Sequence, residues 1–359
     1  MEPSNRSDEV WVLGATGRTG RAVATRLVQD GVRPVLVGRS PERLRQVGAT
    51  LGLGEDAKVV VADTAEKIAA EIARERPSVV VNTIGDYART ALPIVRACLP
   101  GGHYVDFASD LDAMTQLAEL HQEAVDAGST LVTGAGFGVL GTEAVVARLC
   151  AGRPAPAGVR VDALASVAVE EGPLGTALAA SMVDVIATGG RRYEGGRLVR
   201  TRLGADTYRL TLPDGEAVTS VGGPTGELYG ARAASGAPSV TATSMLVPAA
   251  PVVRALLPVL GALLSVPVVR RLAVDRLGRM TVKAAPRPRE HTWGHAVVTW
   301  ADGTEREGWL RAGEAMDFTA AVAAGVAARL ARGEGKPGAS TPGVAFGPEL
   351  AVEAGGTFV

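Results

Sequence analysis

Apolar positions in the first 140 residues come in short runs. Each run is closed by a glycine or a polar turn and followed by a stretch with helical spacing. The run at 10–13 stops at Gly14, and Val23 and Leu27 then recur one turn apart within 21–29. Runs at 33–37, 58–62, 79–81, 103–107 and 130–133 repeat the pattern. Helices are predicted from Pro41 (with Ser40 as N-cap), over 65–75, from Tyr87 to about 99, and from Asp110 to about 127. Six strands alternating with helices predict a parallel, doubly wound α/β sheet.

The rhythm then changes. Positions 159–169 alternate strictly, as in a sheet with one wet face. A helix is predicted over 176–187. Short strands follow at 197–201, 207–212 and 239–246, with a turn at Pro213-Asp214-Gly215. The apolar stretch 248–277 is punctuated by prolines and reads as broken helices. Strands at 291–300 and 306–310 flank Ala301-Asp302-Gly303, a hairpin signal, and a last long helix covers 317–331. This pattern predicts a second, α+β domain with a mostly antiparallel sheet. The expected division is 1–142 for the first domain, 143–315 for the second, and 316–359 for a helix and tail that return to the first. No internal repeat is found.

Composition narrows the picture only a little. The chain has 359 residues, 47% of them hydrophobic, and a net charge of −1, so no global field favours nucleic acid or an acidic surface. Basic charge is almost all arginine, which with 45 glycines and abundant alanine reflects coding bias rather than function. Cys98 and Cys150 lie in helical patterns and read as reduced thiols of a cytoplasmic protein. No apolar leader precedes the first strand. The longest uncharged apolar run, 255–269, falls short of the roughly 18–20 residues that a span needs. The expectation is a soluble chain without a transmembrane span, with a membrane-surface or interface role left open for 248–277.

Candidate chemistry starts at residues 14–20, G-A-T-G-R-T-G. A tight turn at Gly14, close backbone approach at Gly17 and close helix–strand packing at Gly20 are what a pyrophosphate site at a helix N-terminus requires. Gly14, Thr16, Gly17, Arg18, Thr19 and Gly20 are therefore candidate cofactor contacts. At the end of the second strand an acid would take the ribose hydroxyl of NADH; the chain has Gly38-Arg39-Ser40 instead. A guanidinium and a hydroxyl suit a 2′-phosphate, so NADPH is expected, with a solvated helix-start charge as the alternative for Arg39. Asp63 either reaches the adenine or caps the next helix. Thr83 and Gly85 follow the fourth strand and complete the cofactor set. A second G-x-G-x-x-G at 136–141 follows the sixth strand and reads as a loop lining the nicotinamide end, with Phe137 touching substrate.

A bound nicotinamide implies hydride transfer. The short-chain dehydrogenase route, with tyrosine four residues before lysine, is excluded: Gly54, Asp63, Arg279 and Arg332 hold those positions. No ligand spacing suggests a metal, and no G-x-S-x-G suggests a hydrolase. Acid candidates after the fourth and fifth strands are Tyr87, Asp86, Asp106 and His103. Tyr229 and His295, like Tyr208 and Trp293, are candidates for the substrate side, with ordinary packing as their alternative.

The motifs G-A-T-G-R-T-G, V-G-R-S, V-V-N-T-I-G-D-Y, H-Y-V-D-F-A-S-D and G-A-G-F-G, together with the tail S-T-P-G-V-A-F-G-P-E-L, resemble the saccharopine dehydrogenase-like family. That family includes saccharopine reductases and trans-acting enoyl reductases of lipid and polyketide pathways. The resemblance implies an NADP-binding Rossmann domain plus an α+β substrate and dimerisation domain, hence a homodimer. It also implies reduction of a C=N or a conjugated C=C. One departure is Gly85-Asp86-Tyr87, where family members usually carry Gly-Pro-Tyr, so an extra carboxylate is expected beside the nicotinamide. The apolar stretch 248–277 points to a greasy or carrier-bound substrate, such as a specialised metabolite. The competing reading is a non-catalytic NADPH-binding scaffold or redox sensor.

Overall fold

The computed structural model describes residues 6–54, 56–245 and 251–359; positions 246–250, where the predicted strand at 239–246 ends and the apolar stretch begins, lie outside them. The chain opens as β1 (Ser7–Leu13), α1 (Arg18–Gln29), β2 (Val35–Gly38), α2 (Pro41–Thr50), β3 (Val59–Val61), α3 (Ala65–Glu75), β4 (Pro77–Asn82), α4 (Tyr87–Cys98) and β5 (His103–Asp106). Then come α5 (Leu111–Glu119), α6 (His121–Asp126) and β6 (Thr130–Val132). All the pairings among these strands are parallel, in the order β6–β5–β4–β1–β2–β3. Chain direction across the sheet reverses between β1 and β4, which is where doubly wound sheets bind ligands. β1 and β4 are buried on both faces, so they read as continuous valine and leucine runs rather than as alternations. Ser40 caps α2, accepting from Arg43 N at 3.3 Å, with Pro41 at the first helical position. The single helix expected over 110–127 is broken at Leu120.

The second sheet is preceded by α7 (Phe137–Cys150) and starts with β7 (Gly158–Leu164), followed by β8 (Gly172–Pro173) and α8 (Thr176–Thr188). Next are β9 (Gly190–Glu194), β10 (Arg197–Thr201), β11 (Thr207–Thr211), β12 (Ala217–Gly222), α9 (Glu227–Ser235) and β13 (Ser239–Ser244). The broken helices are α10 (Pro251–Leu264) and α11 (Pro267–Gly278); β14 (Thr281–Val282), β15 (Thr292–Thr299) and β16 (Glu305–Ala312) follow. The main order is β10–β9–β13–β7–β15–β16, with the β11–β12 hairpin joined through β12 to β13. Only β13–β7 is parallel within it. α7 lies close on this sheet because Gly294 of β15 leaves no Cβ to collide with the Gly141 carbonyl of the helix.

The chain then runs through α12 (Ala315–Ala331) to β17 (Gly338–Ser340), which pairs parallel with β6 and completes a seven-stranded first sheet. After α13 (Pro342–Phe346) and α14 (Glu349–Glu353), β18 (Thr357–Phe358) pairs antiparallel with β16. Internal contacts divide the chain into two units. One holds residues up to Ala108 with Asp112–Gly136 and Met316–Phe346; the other holds Ser109–Leu111, Phe137–Ala315 and Gly347–Val359. The fold is thus a doubly wound α/β sheet plus a second α+β unit with a mostly antiparallel sheet.

Candidate functional site

The turn between β1 and α1 is held to the sheet by backbone. Gly14 N and Ala15 N both donate to the Val37 carbonyl, at 2.9 and 3.1 Å, and Gly17 N donates to the Gly14 carbonyl at 2.8 Å. Gly14 sits at φ +74°, and a Cβ there would come within 2.8 Å of Thr83 Oγ1. At Gly20 a Cβ would overlap the Gly14 carbonyl oxygen and lie 2.9 Å from Ala15 Cα. Both positions therefore exclude side chains, and the helix start is drawn against the strand end. Gly17 is the N-cap of α1. No side chain caps that helix and no acid occupies its first turn, so its leading amides and positive dipole end are fit for a phosphate. Arg21 donates to the Thr16 carbonyl at 2.8 Å, and Arg18 and Thr19 are half-buried in the first turn.

At the end of β2, Arg39 is exposed and Ser40 half-buried. The Ser40 hydroxyl donates to Glu42 at 2.9 Å while capping α2, so the guanidinium of Arg39 is the group suited to a 2′-phosphate. Asp63 is exposed and paired with Lys67 at 2.8 Å. Lys67, with a smaller contribution from Arg39, holds its carboxyl below the ordinary value. The next helix is capped by Thr64, so the capping alternative for Asp63 does not hold.

The β4 end supplies the other wall of the turn. Thr83 Oγ1 donates to the Leu13 carbonyl at 2.7 Å, bracing the glycine turn from the side, and Gly85 turns the chain at φ +79°. Asp86 follows in the left-handed region at φ +49° as the N-cap of α4, with Arg89 3.6 Å from its carboxylate. The Tyr87 hydroxyl donates to the Asn82 carbonyl at 3.1 Å. Asn82 is buried; its amide donates to the Tyr104 hydroxyl at 3.0 Å and its Oδ1 accepts from Ile84 N at 3.1 Å.

Residues 10–132 match the family described as the saccharopine dehydrogenase NADP-binding domain. These residues form a saccharopine dehydrogenase-type NADP-binding domain. NADPH is its cofactor, and the glycine cradle, the uncapped helix start and Arg39 fit that molecule. The chain is 35% identical over 142 residues to a trans-acting enoyl reductase of Mycobacterium tuberculosis, an alignment covering 38% of this chain and 34% of that one. A Mycobacterium ulcerans protein of the same name is 37% identical over 142 residues, again with 38% and 34% covered. The chain therefore spans about a third of the length of these curated relatives. Across the whole fold it is similar to apo saccharopine dehydrogenase (L-Glu forming) from Saccharomyces cerevisiae. That likeness has TM-score 0.57 at 14% identity and covers 97% of this chain and 96% of that one.

Within the NADP-binding domain, Asp106 does not stand where a substrate could meet it. It is 1% exposed, and its Oδ1 accepts from Ala108 N at 3.0 Å, Thr133 Oγ1 at 2.8 Å and Gly134 N at 3.2 Å. Burial pushes its carboxyl up to about 6 against the lowering effect of these donors. It ties the loop after β5 to the loop after β6. His103 is likewise structural, its Nδ1 accepting from Thr130 N at 3.0 Å.

In the second unit, two expected substrate contacts are packing residues. His295 is fully buried, with Nδ1 2.7 Å from Asp162 Oδ2 and Nε2 2.9 Å from Glu307 Oε1, and its ring stacks on Trp309 at 3.9 Å. Phe137 is 5% exposed, its ring held against Gly141. The second glycine pattern is not a loop: α7 begins at Phe137, and Gly138 makes room for the Glu227 carboxylate. Tyr229 is half-buried on α9, its hydroxyl pushed up by burial and by neighbouring Tyr193 and Glu143. Glu227 had no signal of its own in the sequence. It is buried, burial raises its carboxyl, and its Oε2 has no hydrogen-bond partner.

Proposed function

We propose that the protein is an NADPH-dependent reductase of saccharopine dehydrogenase-like type, acting on the conjugated C=C of an enoyl group or on a C=N. The observation that carries this reading is a phosphate cradle backed by Arg39, with no carboxylate at the end of β2, inside an NADP-binding domain of this type. The 35% identity with proteins named trans-acting enoyl reductases supports the enoyl branch. Bound NADPH supplies the hydride.

The chain's own residues divide the remaining work. Gly14, Gly17 and Gly20, with Thr16, Arg18 and Thr19 at the start of α1, hold the pyrophosphate. Arg39, with Ser40 beside it, holds the 2′-phosphate, and Asp63 lies next to the adenosine end. Thr83 and Gly85 keep the β4 end tight against the cradle. Tyr87 holds a proton on a phenol oriented by the Asn82 carbonyl and is the proposed proton donor, while the Asp86 carboxylate orients substrate beside it. Asp106 is a positioning residue that fixes these loops. Tyr229 is the proposed substrate-side residue of the second unit, and the active species is proposed to be a homodimer that takes a free or carrier-bound substrate.

The test is NADPH consumption by the purified chain against a panel of α,β-unsaturated thioesters and a panel of imines. Turnover with one panel assigns the branch. Tight NADPH binding with no oxidation by either panel would overturn the enzyme reading in favour of an NADPH-binding scaffold. With an active substrate in hand, Tyr87→Phe is expected to lower kcat at least about ten-fold, the lower part of the range for general acids, with NADPH affinity unchanged. A wild-type kcat in that variant removes Tyr87 as donor.

A further inference from the structure

In α10 and α11 the apolar residues do not all face inward. On α10, Leu257 and Leu264 are buried, while Val259 and Leu263 point outward at helical spacing. The outward row continues over the connection through Val266 to Val268, which is 74% exposed, and then to Leu272. Helices packed on one side normally turn charged residues to water at such positions, so this corner is an exposed apolar ridge.

The underside of the ridge is fixed. Arg270 makes a paired contact with Asp184 of α8, at 2.6 and 2.7 Å. Gly261 lets α10 approach the Ile186 carbonyl, and Gly278 lets α11 approach Thr176. The outward set of side chains is therefore anchored from below.

Charge around the ridge is one-sided. Residues 251–288 hold seven Arg or Lys and one acid, Asp275, in a chain whose net charge is −1. Arg271, Arg276, Arg279, Lys283 and Arg287 are all exposed. Asp275 is engaged by Arg279 at 2.8 Å and offsets only one of them. The apolar residues cluster at the α10–α11 connection, and the cations follow on the C-terminal side. α10 is 14 residues long, about 21 Å, too short to cross a hydrocarbon core of roughly 30 Å. Among the described residues no helix is long and apolar enough to span a membrane.

We propose that the α10–α11 corner docks the protein on an anionic lipid surface. Val259, Leu263, Val266, Val268 and Leu272 enter the headgroup boundary, and the arginines and lysine beside them bind lipid phosphates. A protein partner for the same ridge would need an acidic collar around an apolar socket. A bilayer with acidic headgroups presents both parts over any area.

The experiment is flotation of the full chain with phosphatidylcholine vesicles, with and without phosphatidylglycerol. The chain is expected to float with the anionic vesicles, less so as salt rises, and to stay down with the neutral ones. Val268→Asp combined with Leu272→Asp should reduce the floated fraction by about ten-fold or more, given roughly 0.8 kcal/mol for each methylene no longer buried. Arg271→Glu combined with Arg276→Glu should do the same while leaving the apolar ridge intact. NADPH affinity and the thermal midpoint, measured on both variants, should match the parent and so exclude misfolding. A chain that ignores anionic vesicles at low salt overturns the proposal. So does flotation that both variants retain. A chain that ignores vesicles but forms a dimer in solution, split by the apolar variant, assigns the ridge to a second copy instead.

Discussion

His295 Nδ1 and Asp162 Oδ2 lie 2.7 Å apart at zero exposure, paired directly across β15 and β7. The contact extends on both sides. Thr243 of β13 donates to Asp162, Ser220 of β12 shares a hydrogen bond with Thr243, and Glu307 of β16 meets the far ring nitrogen. Five adjacent strands are thus tied by one polar residue each. Removing the imidazole takes one of three side-chain partners from the buried Asp162, leaving Thr243 and the Arg160 guanidinium 3.3 Å away. His295→Ala should cost about 3 kcal/mol, including the lost stacking on Trp309. Urea unfolding of parent and variant measures this, and a loss below about 0.5 kcal/mol, the size of an ordinary surface change, would contradict it.

A methyl group at Gly20 would overlap the Gly14 carbonyl. Gly20→Ala should therefore push α1 off the strand end, costing about 1–3 kcal/mol from overpacking despite a better helix propensity. NADPH affinity should fall further than stability does, because the amides at the helix start move with the backbone. Titration of NADPH fluorescence beside a thermal melt separates the two, and unchanged affinity would remove the close-packing argument.

Arg39 is the exposed cation at the end of β2, and Arg39→Asp places a carboxylate where NADH enzymes hold a ribose hydroxyl. NADPH should bind at least ten-fold more weakly, from the loss of one charge-assisted contact of about 1.5–3 kcal/mol. NADH should be affected far less. Parallel dissociation constants for the two cofactors read this directly, and an equal loss of both would refute the assignment of Arg39 to the 2′-phosphate.

Asp106 gives a pH signature with a definite sign. Its folded value, about 6, lies above the ordinary carboxylate value, so the native state holds its proton more tightly than the unfolded chain. Unfolding free energy should then fall as pH rises from about 4 to about 6, by about 3 kcal/mol for a shift of two units, and level off above. Asp106→Asn keeps an oxygen for Thr133 and Gly134 and should flatten that slope. Chemical denaturation at a series of pH values tests it; identical slopes in parent and variant would show that another group titrates there.

Much of the first unit was legible because its signals are local. Each of the first six strands is an apolar run with a stop beside it, the glycine spacing at 14–20 lies within seven residues, and Ser40-Pro41 announces its own helix. The remainder depends on partners distant in sequence. Gly-Ala-Ser at 338–340 has no apolar signature and becomes a strand only because β6 offers an edge. Arg191 and Arg192 make β9 look like loop. Leu117, Leu120 and Ala124 keep helical spacing across a break, so α5 and α6 read as one helix. For His295 the sequence leaves substrate contact and packing both open, because nothing near it reveals Asp162, 133 positions away. The glycines at 136–141 matched a nucleotide pattern, whereas in the fold they serve side-chain packing and helix–sheet approach.

The pairing of β17 with β6 also bears on how the chain acquires its fold. Thr133 N donates to Ser340 O and Gly338 N to Ser129 O, so the outer edge of β6 is closed by residues 338–340, far from it in sequence. During synthesis the β6 edge stays unpaired until residues 338–340 have emerged. An unpaired edge is a template for joining another chain. A fragment cut at Gly136 would keep the whole glycine cradle yet expose that edge, so the nucleotide domain is not separable by a single cut.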